Sequence, residues 1–180
     1  MTEGRWAATT LFVMSRTGAK VLLWLFVLNL GIVFGAGLYE SRIVVPRWLT
    51  PAPENGFLWN AQAAREDNTG LRFWLYVTTV PLTVITLANL IGAWRARSSA
   101  STWWTVAALA ALSERLFTFF YFIPTMIELM GDGTMPGAEA ETMARQWVDL
   151  NYLRHAIVLI AWVAALKAFA RIHRSGRSLS

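Results

Sequence analysis

Three charged side chains lie inside otherwise apolar stretches: Glu114 and Arg115 within Trp103–Ile127, and Arg154 within Trp147–Phe169. A charge at bilayer depth costs roughly 3 kcal/mol or more on insertion scales, so such residues point into a bundle and are paired or functional. Glu114 opens a stripe with Thr118, Tyr121, Thr125 and Glu128, whose four-three-four-three spacing puts them on one helical face. Trp147, Asn151, Arg154 and Val158 form a second stripe with His155 beside it. At a helical rise of about 1.5 Å, Arg154 comes level with Tyr121 and within reach of Glu114, so a Glu114–Arg154 pair is expected. Arg115, about 100° away around the helix, is assigned to Glu40 or to another wall of the same cavity.

These residue types suit proton transfer at an apolar molecule. Glu40 or His155 would act as base, and Arg154, Tyr121 and Asn151 would stabilise an oxyanion. Glu114, Arg115, Thr118 and Trp147 would line the pocket around the substrate. The same charges would serve equally as an ion-pair network that fixes helix register.

The elements that must position them are apolar helices. Of 180 residues, 56% are hydrophobic and 15% charged, and mean hydropathy is +0.42, a composition suited to a bilayer rather than to a soluble globule. The spans expected are about 21–39, 73–94, 103–127 and 147–169, each long enough for a hydrocarbon core. Together they make a single all-α membrane domain over 1–180, a four-transmembrane-helix bundle with loops at 40–72 and 128–146 and no separate soluble domain. The first span resembles a secretory signal but is longer than a typical signal core, so it is read as a retained helix. Trp6–Met14 reads as an interfacial segment. Gly31 and Gly35, four apart, are expected at a close helix contact, and Thr79, Thr83, Thr86 and Asn89 are expected to satisfy backbone carbonyls or neighbouring helices.

Orientation follows from basic residues. Arg5, Arg16, Lys20, Arg95, Arg97, Lys167, Arg171, Arg174 and Arg177 flank one side against the single acid Glu3, whereas the 40–72 and 128–146 loops are rich in Asp and Glu. Both termini are therefore expected in the cytoplasm, in a multi-pass cell-membrane protein of the bacterial inner-membrane kind. A net charge of +5 follows this pattern, which argues against nucleic acid as the partner.

There is no cysteine, which removes thiolate chemistry, iron–sulfur clusters and cysteine-ligated metals. His155 and His173, the two histidines, fall toward opposite ends of one span and cannot share an ion within a chain. Met126, Met130, Met135 and Met143 read as filler rather than a copper(I) site. Neither a metal nor a cofactor is expected.

The segment GAGLYESRIVVPRW, Trp59 in the loop that follows, the arginine- and aromatic-bearing third span with Pro124, and the W..LN.LR pattern opening the fourth together resemble small four-helix membrane proteins whose named members are anthrone oxygenases. The resemblance covers most of the chain in short motifs and implies oxidation of a polycyclic aromatic or quinone-like substrate by dioxygen without a bound metal or flavin. Carried onto this sequence, it marks Glu40, Pro46, Trp59, Trp147, Asn151 and Arg154. Glu114 and Arg115 are singled out by depth alone. The function expected is thus a cofactor-independent oxygenase acting on an apolar aromatic. The alternatives are a non-catalytic lipid or quinone carrier and an accessory subunit of a membrane complex. The partners are the bilayer and an apolar aromatic or lipid-like molecule, with room for a homo-oligomer.

Overall fold

The computed structural model describes residues 15–52, 56–67, 70–96, 101–131, 135 and 137–177; the expected interfacial segment Trp6–Met14 lies outside them. Four helical segments are long and apolar enough to cross a membrane: Thr17–Trp48, Leu71–Arg95, Ser101–Leu129 and Gly137–Arg174. They form a closed ring in which each span packs against the next and the fourth against the first. One end of the bundle, here the loop end, carries the long connection between the first two spans.

Helix α1 (Arg16–Tyr39) is started by Ser15, whose side chain accepts from the Gly18 N–H at 3.0 Å. It does not stop at Tyr39. The chain continues through a π turn, Glu40–Val44, and a 3-10 turn, Val45–Trp48. The expected irregular loop is then a short antiparallel hairpin, β1 (Leu49–Ala52) with β2 (Gly56–Trp59), followed by α2 (Ala61–Glu66). The second span joins α3 (Gly70–Phe73) to α4 (Val80–Arg95) through a π turn at Trp74–Thr79. The third joins α5 (Ser101–Phe117) to α6 (Ile123–Leu129) through another at Thr118–Phe122. The fourth is the unbroken α7, Gly137–Arg177, 41 residues and so about 60 Å long, twice a hydrocarbon core.

The three π turns share a sequence cause. Each is followed at its second residue by a proline: Pro46, Pro81 and Pro124. A proline inside a helix lacks an N–H and its ring crowds the carbonyl four residues back, here those of Arg42, Val77 and Phe120. A wider turn relieves the crowding, and the five-residue bonds Val45→Glu40, Val80→Leu75 and Ile123→Thr118 close it. The Val77 carbonyl accepts instead from Asn29 Nδ2 at 3.3 Å.

The mid-bundle core is built on small residues. Ala107 and Ala111 of α5 and Ala161, Ala164 and Ala165 of α7 are buried together with Phe26, Leu30 and Leu82, and small side chains let helix axes approach closely. Gly31 meets the Trp162 ring, where an added Cβ would lie 3.2 Å from Cζ2, whereas Gly35 is exposed with nothing within 4 Å. The expected Gly31–Gly35 contact is therefore corrected to Gly31 with Gly37. Toward the termini, Trp104 donates to Asn89 Oδ1 at 2.8 Å. Thr83 returns its hydroxyl to the Thr79 carbonyl at 2.6 Å and Asn89 its amide to the Ile85 carbonyl at 2.8 Å, the backbone role expected of them, whereas the buried Thr86 hydroxyl has no hydrogen-bond partner. Large apolar side chains such as Trp24, Leu28, Val84, Leu87, Leu109 and Ile160 are exposed around the ring, the surface that lipid requires.

A cap closes the loop end. Trp48, Ala64, Phe122, Leu129, Ala144 and Trp147 share one buried cluster, so the hairpin and α2 rest on the ends of the third and fourth spans. Trp59 donates to the Leu129 carbonyl at 2.8 Å, and Arg65 reaches the Met130 carbonyl at 2.9 Å, which satisfies acceptors left open where α6 ends.

Candidate functional site

The buried charges pair otherwise than expected. Arg115 grips its neighbour Glu114 with two hydrogen bonds, Nε to Oε2 at 2.6 Å and Nη2 to Oε1 at 2.7 Å, and the Thr118 hydroxyl adds a third to Oε1 at 2.8 Å. Glu114 is 1% exposed and Arg115 5%, so the fork neutralises both where neither could be left single. Arg154 pairs with Glu40 at 3.6 Å and feels Glu114 only as a more distant charge. The expected Glu114–Arg154 pair is thus corrected to Glu114–Arg115 and Glu40–Arg154, and of the two places considered for Arg115 the one on Glu40 is taken by Arg154. The four groups remain one neutral cluster of two acids and two guanidinium cations.

The π turns decide what surrounds it. The wide turn at Thr118–Phe122 moves the third span's register by one residue, so the buried face runs Glu114, Thr118, Phe122, Thr125 and Leu129. Tyr121, expected on that face, is only half-buried, tilted against Phe117 and edge-on to Phe122, and Glu128 is exposed. Phe122 takes Tyr121's place: the Arg154 guanidinium lies 4.6 Å from its ring centre, and Trp147 donates to its carbonyl at 3.4 Å. On the second span's π turn, Trp74 lies 6.0 Å from the same guanidinium and within hydrogen-bonding reach of the Glu40 carboxylate. Glu40 itself begins the first span's π turn. Three wide turns therefore converge on one arginine.

Deeper against the fourth span are polar groups whose bonding capacity is not used. Asn151 and His155, one turn apart on α7, are 2% and 6% exposed, and both amide atoms of Asn151 and both ring nitrogens of His155 lack a hydrogen-bond partner. Arg115 Nη1 and the Ser41 hydroxyl, also buried, share that condition. The His155 ring lies against Gly37, in the space a side chain there would take. Ser41 follows Gly37 by four residues toward the loop end of the first span, as Asn151 precedes His155 by four on the antiparallel fourth. Buried polar atoms of this kind are normally taken up by ordered water or a ligand.

The structure thus brings together Glu40, Arg154, Asn151, His155, Glu114, Arg115, Thr118 and Trp147. It places Trp59 in the cap, edge-on to Trp48 at 5.9 Å with its N–H engaged, and Tyr121 at the rim. Trp74, Phe122, Ser41 and Gly37 belong to the site without having been singled out for it. The signal for the first two was available: each lies in the stretch just before a proline within an apolar span. Among the described residues no three His, Asp or Glu side chains gather as a metal site. No protein-family model matches the chain, and neither a characterised protein nor a solved structure matches it.

Proposed function

We propose that the chain is a multi-pass cell-membrane protein with cytoplasmic termini, and that the loop end of its bundle binds an apolar aromatic, phenol- or quinone-like molecule for oxidation by dioxygen. One observation carries the reading: five buried atoms of Asn151, His155 and Arg115 lack partners beside the Glu40–Arg154 pair. They present donors and acceptors around a cationic group in an apolar surround, which is what a small-molecule site requires. The motif resemblance to anthrone oxygenases supports the choice of chemistry.

In this reading Glu40 or His155 removes a proton from an activated ring carbon or phenol. Arg154 and Asn151 hold the oxyanion that forms, and its electrons pass to dioxygen. Oxidation of a ring CH2 to a carbonyl consumes one dioxygen and releases one water, so the balance needs no electron from the protein. Glu114, held by Arg115 and Thr118, is a fixed wall of the site.

The test begins with protein purified in mild detergent. Its absorption spectrum and mass spectrometry of extracted small molecules identify any bound arene or quinone, and an oxygen electrode follows turnover of anthrone. Expected are a bound aromatic and oxygen uptake that falls at least tenfold in Glu40→Gln or His155→Asn. Binding without oxygen uptake would make the protein a carrier. Folded, monodisperse protein that binds no arene would overturn the reading in favour of an accessory subunit.

A further inference from the structure

The loop-end half of the second span stands apart from its neighbours. Leu71, Phe73, Leu75, Tyr76 and Val77 are all exposed, and of positions 71–77 only Trp74 turns partly inward. From the last two residues of the π turn onward the same span returns to the bundle, with Thr78, Thr79, Leu82, Thr86 and Asn89 buried. On the third span, Phe119 and Phe120 of its π turn are exposed as well, Phe120 by 80%. Trp74 lies 6.0 Å from the Arg154 guanidinium, and Arg154 and Glu40 keep 12% and 15% of their side-chain surface exposed. Asn151 and His155 behind them are sealed.

Resting on the site reading above, we infer that the site opens sideways, between the loop-end halves of the second and third spans, and admits from the bilayer an arene carrying an acidic hydroxyl. Three features fix the occupant. The walls are apolar and aromatic at membrane depth, so the entrant is dissolved in lipid rather than in water. The opening leads to a guanidinium whose closest carboxylate oxygen is 3.6 Å away, longer than a charge-assisted hydrogen bond, so Arg154 keeps donor capacity that an aryl oxygen beside the pair can take up. The deeper unpartnered groups, Asn151 Nδ2 and Arg115 Nη1, are donors suited to that oxygen. Trp74 is the side chain an entrant must pass.

The chain has no cysteine, so single-cysteine variants label at one place. Tyr76→Cys and Phe120→Cys, each alkylated with N-phenylmaleimide, are compared with Glu66→Cys in the cap. All are reconstituted in phosphatidylcholine nanodiscs. The probe is 1-hydroxypyrene, with pyrene as its hydroxyl-free control, followed by energy transfer from tryptophan. Unlabelled protein should bind 1-hydroxypyrene at least tenfold tighter than pyrene, and Arg154→Gln should abolish that preference. Labels at 76 and 120 should slow association at least tenfold, and the label at 66 should leave it unchanged. If the label at 66 slows entry and those at 76 and 120 do not, the ligand arrives from the aqueous end; the lateral route falls while the site stands. If wild type shows no preference for the hydroxyl, or Arg154→Gln keeps it, the site falls as well. Efficient disulfide cross-linking of unlabelled Phe120→Cys to a second copy would show the opening filled by protein, and would also overturn the inference.

Discussion

Two glycines two residues apart separate a packing role from a merely helical one. At Gly37 a methyl group would lie 2.8 Å from His155 Cδ2 and closer still to Nε2, so the buried ring must turn. Such overpacking costs typically ~1–3 kcal/mol. Alanine also returns about 1 kcal/mol of helix propensity relative to glycine. The balance for Gly37→Ala is a loss of about 1 kcal/mol. At Gly35 nothing lies within 4 Å, so Gly35→Ala keeps the propensity gain alone. The two variants should therefore differ by about 2 kcal/mol, which for a chain of this size is a gap of roughly 4–8 °C in melting temperature. Thermal unfolding in one detergent, followed by circular dichroism, measures it. His155→Ala removes the obstacle, so adding Gly37→Ala to that background should stabilise, with a coupling of ~1–3 kcal/mol. Equal shifts for the two glycine variants, or no coupling with His155, would refute the placement of the imidazole against the first span.

Glu114→Gln or Arg115→Gln alone strands a buried charge and should cost roughly 3–5 kcal/mol in unfolding experiments, whereas the double variant should cost less than the sum. Trp59→Phe gives up the bond to the Leu129 carbonyl; it should lower stability by about 1 kcal/mol and speed hydrogen exchange across 49–67, with arene binding unchanged. Reporter fusions after Ser99 and Arg177 should signal from the cytoplasm and those near Asn68 and Gly137 from the opposite side, and an opposite-side signal at Ser99 would reverse the proposed orientation.

The four apolar spans were legible because each is a long run with few charges, and length alone separates such runs from buried core helices. Their ends were less so. AEAETMARQW reads as a helical approach to the fourth span, and the structure makes it the first turns of the unbroken α7; its buried Ala144 shows only once the cap is in place. The charge pairing was missed because neighbours in sequence leave a helix about 100° apart. Glu114 and Arg115 are long enough to curl back onto one another, and a two-pronged fork satisfies more bonds than a pairing across the bundle. The Tyr121 position failed for another reason: uniform 3.6-residue periodicity was carried through a turn that does not obey it.

The prolines that widen the spans also bear on how such a chain changes over generations. A π turn is in effect one extra residue accommodated inside a helix, and it turns everything beyond it by about 100° relative to what lies below. In three of the four spans that junction falls between the alanine-packed lower bundle and the loop-end residues around Arg154. Substitutions can therefore remodel the upper faces without disturbing the knit of the lower ones. Single-residue insertions or deletions near Pro46, Pro81 and Pro124 should be tolerated far better than elsewhere in the spans. Descendants of a common ancestor would then share the lower stripe residue for residue, while their upper stripes stand one position out of step, and an alignment without gaps inside the helices would set the inward loop-end side chains of one against outward-facing side chains of the other.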